Sequence, residues 1–311
     1  LAAALAGDVI ELGAGTFHLS ETMRVGGGVA LRGAGAGKTT LDTTGLPVGV
    51  SFSGTDPKTP ASLDGATVTG AATCVAVTGT ATNVRLSHLI IRDCATSGIS
   101  IADGGSAAIA TATVANNGTG VESAGKASIK DSLLTGNAVG LKSQQEGALT
   151  SSYDDLFANT TAYVGLAAGT GDLAAAVTFV DAASHNFKLA GPQASTDQGD
   201  PADPVDAEPT PNGARINLGA FGGTAEAEMS VPAPLTDDTG GRGPTPTTTP
   251  PAVTSLGGKP VSDGNDVGGC SISGRPAGRG LPLVILIVVP LLRARSRRQR
   301  RQVSDPTSRS S

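Results

Sequence analysis

Asp131 and Asp154, with Lys130 and Tyr153 beside them, are the residues of this 311-residue chain best suited to acid–base chemistry. Two carboxylates facing one scissile bond can divide hydrolysis between them, one as acid and one as base or nucleophile. They can also hold a hard cation such as Ca2+ while Lys130 or Tyr153 moves a proton. Either chemistry requires Asp131 and Asp154 to meet in space, so it rests on whatever positions residues so far apart in the chain.

An internal repeat supplies that positioning. Residues 83–99, 107–121, 127–141 and 148–164 align, with one apolar column of Ile91, Val114, Leu134 and Phe157 and a second of Ile99, Val121, Leu141 and Val164. A polar column of Asp93, Asn116, Asn137 and Asn159 lies between them. Each unit is a set of short, period-two apolar stretches separated by Gly/Asn turns. One unit cannot close a core, but units stacked in register can. Strands then pair with the copies above and below at ~4.8 Å, and stacked Asn116, Asn137 and Asn159 satisfy backbone groups at an inward turn. In this alignment His88, Thr111, Asp131 and Asp154 form a column three residues before the first apolar one. Ser87, Ala110, Lys130 and Tyr153 form the column before that, so Asp131 and Asp154 are expected on adjacent rungs. Asp155, the sequence neighbour of Asp154, is expected to point to the opposite face of its strand.

The pattern resembles the right-handed parallel β-helices of the pectate-lyase-like superfamily over about residues 5–190. The opening Gly7-Asp8-Val9-Ile10-Glu11-Leu12, Gly15-Thr16-Phe17 and Val29-Ala30-Leu31-Arg32-Gly33 looks like the first rungs of that family. Residues 179–222 are similar to a C-terminal module of anchored bacterial β-helix proteins. Its pieces here are Phe179-Val180-Asp181, Asn186-Phe187-Lys188-Leu189, Asp197-Gln198-Gly199-Asp200 and Arg215-Ile216-Asn217-Leu218-Gly219-Ala220-Phe221. The resemblance implies an all-β chain: a single-stranded right-handed parallel β-helix of roughly ten rungs, then a disordered stalk and a short hydrophobic tail. It also implies that the later module seals the open end of the stack. In lyases of this family clustered Asp residues hold Ca2+ against a uronate while a basic group takes the α-proton, and in hydrolases paired carboxylates act as acid and base.

Composition agrees with layered strands of small residues: 44 glycines, no tryptophan and eight Phe or Tyr. The absence of tryptophan supplies a sugar-stacking groove poorly. The formal charge of −5 divides unevenly. Residues 1–268 carry 13 Lys/Arg against 26 Asp/Glu, and residues 269–311 carry 9 against 1. An acidic body does not bind nucleic acid by counterion release. Residues 229–268 are rich in Pro, Thr and Gly and cannot bury enough to offset their ordering entropy. After them come Gly269-Cys270, an apolar run confined between Arg279 and Arg293, and six arginines in 293–301. As a helix that run spans roughly 20 Å, short of a ~30 Å hydrocarbon core, and Pro282 and Pro290 weaken it further. The segment resembles the Cys-containing C-terminal sorting signals of myxobacterial surface proteins, which implies processing and covalent attachment at Cys270. An export signal is expected upstream of Leu1.

Other constellations have plainer readings. Leu31 to Thr39 mimics a phosphate loop, but Arg32 stands where that loop needs glycine. His18, His88 and His185 are scattered and make no metal set. Cys74 and Cys94, about one rung apart, are placed either to pair after export or to remain buried and reduced. Asp197, Asp200, Asp203, Asp206 and Glu208 crowd one loop, where Ca2+ would relieve their repulsion, but no EF-hand or related spacing is present, and a solvated acidic loop with Asp197 paired to Arg215 is the favoured reading. The expected organisation is a β-helix over 1–190, a capping module over 191–228, a linker over 229–268, a sorting signal over 269–302 and a tail over 303–311. The expected molecule is a monomer at the outer cell surface, non-catalytic, touching extracellular polysaccharide or other surface proteins, with membrane contact through its tag. The competing expectation is a surface polysaccharide lyase, hydrolase or epimerase using Asp131, Asp154 and Lys130.

Overall fold

Residues 4–54, 56, 58–81 and 83–230 are described by the computed structural model, and their secondary structure is all β. The chain winds through three parallel faces. The first face stacks β1 (Val9–Leu12), β4 (Ala30–Gly33), the leading halves of β7 (Ser62–Thr69), β9 (Val84–Arg92) and β11 (Ser106–Ala115), then β13 (Lys126–Lys130) and β16 (Leu149–Ser152). The second face stacks β2 (Gly15–His18), β5 (Thr39–Asp42), the trailing halves of β7, β9 and β11, then β14 (Leu133–Thr135) and β17 (Asp155–Phe157). The third face stacks β3 (Met23–Gly26), β6 (Val48–Ser53), β8 (Thr73–Val77), β10 (Ser97–Ile101), β12 (Thr119–Ser123), β15 (Val139–Ser143) and β18 (Thr161–Val164). Residues 9–164 thus form a parallel β-solenoid of seven coils, not the ten that the repeat length suggests. The early coils are longer than the aligned repeats, as the pairing of Ala30 with Ser62 shows, and the chain leaves the stack after β18.

Alternation along each strand builds the core. On the first face Leu31, Leu63, Leu86, Ile109 and Ile129 stack inward, each about 1% exposed or less. Leu41, Val68, Ile91, Val114, Leu134 and Leu156 do so on the second. Val50, Val75, Ile99, Val121, Leu141 and Tyr163 do so on the third. Burying each such Leu or Ile contributes ~1.5–3 kcal/mol.

The last repeat is shifted by one residue from its sequence alignment. Leu134 pairs with Leu156 rather than Phe157, and Leu141 with Tyr163 rather than Val164. Two adjacent apolar residues at each place hide the alternation. The polar column is shifted as well. The inward ladder is Cys94, Asn117, Asn137 and Asn159, whereas Asn116 is exposed in a column of left-handed residues with Asp93, Gly136 and Ala158. Asn137 Oδ1 accepts from the Asn117 backbone N at 2.9 Å and from its Nδ2 at 3.0 Å, and Asn159 serves Asn137 in the same way. Each Nδ2 also donates to a carbonyl of an earlier coil: Ile91, Val114 or Leu134.

Glycines make room for that ladder. A Cβ on Gly98, Gly120 or Gly140 would lie 2.6–2.7 Å from the carbonyl oxygen of the next coil and against the neighbouring Asn side chain. Where the ladder begins, Cys94 takes the asparagine position and Cys74 stands in the glycine column. The two form a disulfide with a Cα–Cα distance of 5.8 Å. One covalent bond replaces one rung of side-chain hydrogen bonds.

After β18, bridges from Ser152 to Thr170 and from Asp155 to Leu173 begin an eighth coil that is not completed. The chain then forms an antiparallel hairpin of β19 (Phe179–Asp181) and β20 (Asn186–Leu189). Residues 195–227 run along the side of the stack instead of sealing its end. The physical reason is the outer surface of the second face, where Ile90 and Leu133 point away from the core. Phe187 and Ala220 cover Ile90, Leu189 and Leu218 cover Leu133, and the Ala220 N–H donates to Thr113 Oγ1 at 3.0 Å. Cys270, the linker beyond residue 230 and the arginine-rich tail lie outside the described residues.

Candidate functional site

The corner between the first and second faces carries the expected catalytic residues. There His88, Thr111, Asp131 and Tyr153 share a left-handed backbone with φ of 48–55°. This conformation is uncommon for residues with a Cβ, and here it turns each strand through the corner. Coils six and seven keep one register on both sides of the corner, Lys130 pairing with Ser152 before it and Leu133 with Asp155 after it. Tyr153 therefore lies beside Asp131, and Asp154 beside Ser132. The expected pairing of Asp131 with Asp154 on adjacent rungs is corrected by one position, which sends their side chains to opposite sides of the wall.

Asp154 points inward, in line with Leu89, Ala112 and Ser132. Backbone amides are served in sequence along this column: Ala112 N by Ser132 Oγ at 3.1 Å, Ser132 N by Asp154 Oδ1 at 2.8 Å, and Asp154 N by Asp172 Oδ1 at 3.1 Å. Ser151 Oγ lies 2.8 Å from Asp154 Oδ2 and 2.6 Å from Asp172 Oδ2 but has one hydrogen to give. A protonated Asp154 resolves this, donating to Ser151, which donates to Asp172. Burial raises the Asp154 carboxyl well above the ordinary range and the Asp172 charge adds to the rise, outweighing the hydrogen bond that Ser151 offers the ionised form. Tyr163 and Gly169 complete the shell of Asp172 at 2.8 and 2.7 Å. Asp155 points outward, as strand alternation requires, and accepts from Ser195 Oγ at 2.7 Å beneath the C-terminal segment.

Asp131 points outward but is also fully buried, roofed by residues 199–219. Its Oδ1 accepts from the Asp200 N–H at 2.6 Å, its backbone carbonyl accepts from Gly219 N at 2.9 Å, and its Oδ2 has no donor. The neighbouring Lys130 reaches both oxygens of Asp203 at 2.6 and 2.7 Å, and lies 3.6 Å from Asp131 and 3.7 Å from Asp200. Burial, and then contact with the Asp203 carboxyl, raise Asp131 to about 7. Burial opposes the ionisation of Asp203, yet Lys130 and Asp131 outweigh it and hold that carboxyl low.

Tyr153 packs under the Arg215 guanidinium, 5.7 Å from ring centroid to Cζ. Arg215 donates to the carbonyls of Gly199 and Gln198, so it is not paired with Asp197. Asp197 accepts from Ser230 and takes no part in the Asp200–Asp203 cluster, which separates the candidate Ca2+ ligands. Among the described residues no group of three or more His, Cys, Asp or Glu is placed to hold a metal ion. The ammonium of Lys130 occupies the centre of the cluster instead.

A second polar group lies on the same corner nearer the start of the stack. Asp64 Oδ1 sits 2.8 Å from His88 Nδ1 and accepts from Ser87 Oγ at 2.7 Å. Burial works against its ionisation, but the His88 and Ser87 hydrogen bonds hold its carboxyl below the ordinary value. The pair opens on a cleft of about 400 Å3 lined also by Arg32, Lys38, Phe221 and Glu226. Sequence reasoning passed over it because Asp64 precedes the first aligned repeat. The signal was present: Leu63-Asp64-Gly65-Ala66 pairs in register with Leu86-Ser87-His88-Leu89.

No protein-family model matches the chain, and no curated protein matches it. Among solved structures the chain is similar to Geobacillus virus E2 ORF18, at 16% identity and a TM-score of 0.33. The match covers 47% of this chain and 34% of that one, so the chain spans about a third of the length of that protein.

Proposed function

We propose that this chain is a non-catalytic surface module: a right-handed, pectate-lyase-like β-solenoid exported from the cell and held at its surface by a tag processed at Cys270. It serves as a rigid adhesion element that touches extracellular polysaccharide or other surface proteins. The observation that carries this reading is the use of Asp131 and Asp154. One is turned into the core and one is roofed by the C-terminal segment, and each serves backbone amides rather than an open groove. The buried Cys74–Cys94 disulfide supports export, because such bonds persist in oxidising compartments. Expression of Cys270→Ser in the native cell tests the anchor. The variant is expected in the medium or unprocessed, and surface retention of a shortened form refutes the role of Cys270. A glycan array with the purified protein tests the contact with polysaccharide, and an array without binding removes that part.

The Asp64–His88 pair favours one alternative, a lyase, hydrolase or epimerase acting on acidic glycans. An ionised carboxylate orients the imidazole towards a cleft that also holds Arg32 and Lys38, an arrangement suited to a general base beside an anionic substrate. If it operates, His88→Gln lowers turnover of uronate polymers by about 100-fold. Wild-type protein that neither cleaves nor epimerises such polymers excludes it.

A further inference from the structure

We infer that Asp131 and Asp203 form a proton-operated latch that fastens residues 199–206 to the sixth coil at acidic pH and loosens them towards alkaline pH. Three carboxyls and one ammonium meet beneath this loop. Asp131 is fully buried and its Oδ2 has no donor, and it converges with Asp203 on the Lys130 ammonium, which lies 3.6 Å from Asp131 Oδ2 and 2.6 Å from Asp203 Oδ2. Two carboxylates converging on one ammonium repel each other, and only one of these two is satisfied as an anion. Lys130 gives Asp203 both of its short contacts, at 2.6 and 2.7 Å. Asp131, buried and with Oδ2 unpartnered, is left as the group that must carry the proton. When that proton leaves, Asp131, Asp200 and Asp203 present three negative charges to a single Lys130, one of them without water.

The groups that face Asp131 account for the sign. Lys130 on its own strand favours the anion but is committed to Asp203. From the loop, Asp203 opposes the anion, and the Asp200 N–H supports it at 2.6 Å. From the seventh coil comes Asp154, a further like charge whenever it ionises. Arg215, which belongs to the segment packed over this corner, is held by the Gly199 and Gln198 carbonyls. Opening of the loop returns Asp131 to water, where its carboxyl has the ordinary value of 3.8, against about 7 when closed. The closed loop therefore binds the proton more tightly. Its stability from this source is full below pH ~4, declines as the pH rises to 7, and is level above that.

The latch is confined to the loop. The rest of the C-terminal segment is held by apolar contacts at Ile90 and Leu133 that do not titrate.

Hydrogen exchange followed by NMR on the full chain between pH 5 and 8 tests the latch, with rates corrected for the intrinsic pH dependence of exchange. Protection of the Asp200 and Asp203 amides is expected to fall at least tenfold over that range, while the Asn117 amide in the ladder stays constant. Asp131→Asn removes the titrating proton and should make the loop insensitive to pH. Asp203→Asn provides a donor to the Asp131 anion and should do the same, which keeps the test usable if the first variant folds poorly. Carbon-detected titration of Asp131 should show a midpoint near 7. Flat protection in the wild type, an undiminished pH response in both variants, or an Asp131 midpoint below 5 each overturns the inference.

Discussion

Replacing Asn117 by alanine and, separately, Asn116 by glycine tests which asparagine belongs to the ladder. Asn117 is 4% exposed, and its Oδ1 accepts from the Cys94 N–H at 2.9 Å. Its Nδ2 donates to Ile91 O at 3.2 Å and to Asn137 Oδ1 at 3.0 Å. Alanine orphans the Cys94 amide inside the core, which costs about 1–3 kcal/mol. It also removes the donor to Ile91, at about 1 kcal/mol, and leaves a small void. Asn137 Oδ1 retains the Asn117 backbone N–H, so its loss is minor. The sum is about 2–4 kcal/mol, equivalent to a urea midpoint lowered by about 1 M at unchanged m and a Tm lowered by about 10 °C. Asn116 is exposed with φ of 59°, a conformation that glycine adopts without strain. Asn116→Gly should therefore change stability by less than about 1 kcal/mol, on the stabilising side. Denaturation of both variants in urea, followed by circular dichroism, decides between them. If Asn116→Gly loses as much as Asn117→Ala, the ladder register and the reasoning from it are wrong.

Two further outcomes follow from the buried groups. Unreduced, denatured protein should titrate no more than one thiol of the three cysteines, and replacing Cys74 and Cys94 together by serine should cost about 3 kcal/mol, the loop-closure value for a bond of this span; three titratable thiols would refute the pairing. Asp154→Asn keeps an acceptor for Ser132 N and supplies a permanent donor to Ser151, so at pH 7 it should match or exceed wild-type stability. Asp154→Ala should lose about 2–3 kcal/mol. Because burial raises Asp154, wild-type stability should fall as the pH rises above about 4, and Asp154→Asn should flatten that part of the profile. A less stable Asp154→Asn with an unchanged profile would show that the buried carboxyl is ionised.

Sequence alone determined the parallel solenoid. Period-two apolar runs that recur once per repeat leave no core for a single unit, and Ile91 with Val114 and Ile99 with Val121 pair as the columns require. It also separated Asp154 from Asp155, since alternation along a strand is local. Register within the last coil was not legible. Leu156 and Phe157, like Tyr163 and Val164, fit one apolar column equally well, and the choice shifts every neighbouring side chain by one place. That shift put Asp154 in the wall beside Ser132 instead of next to Asp131. The partners of Asp131 were beyond sequence reasoning for another reason. Asp200 and Asp203 belong to a loop beyond the end of the stack, 69 residues from Asp131 and 73 from Lys130 respectively, and they arrive only because Ile90 and Leu133 point outward and draw the C-terminal segment over the second face. Local periodicity selects the elements, whereas the meeting of distant charges is decided by which apolar surfaces remain to be covered.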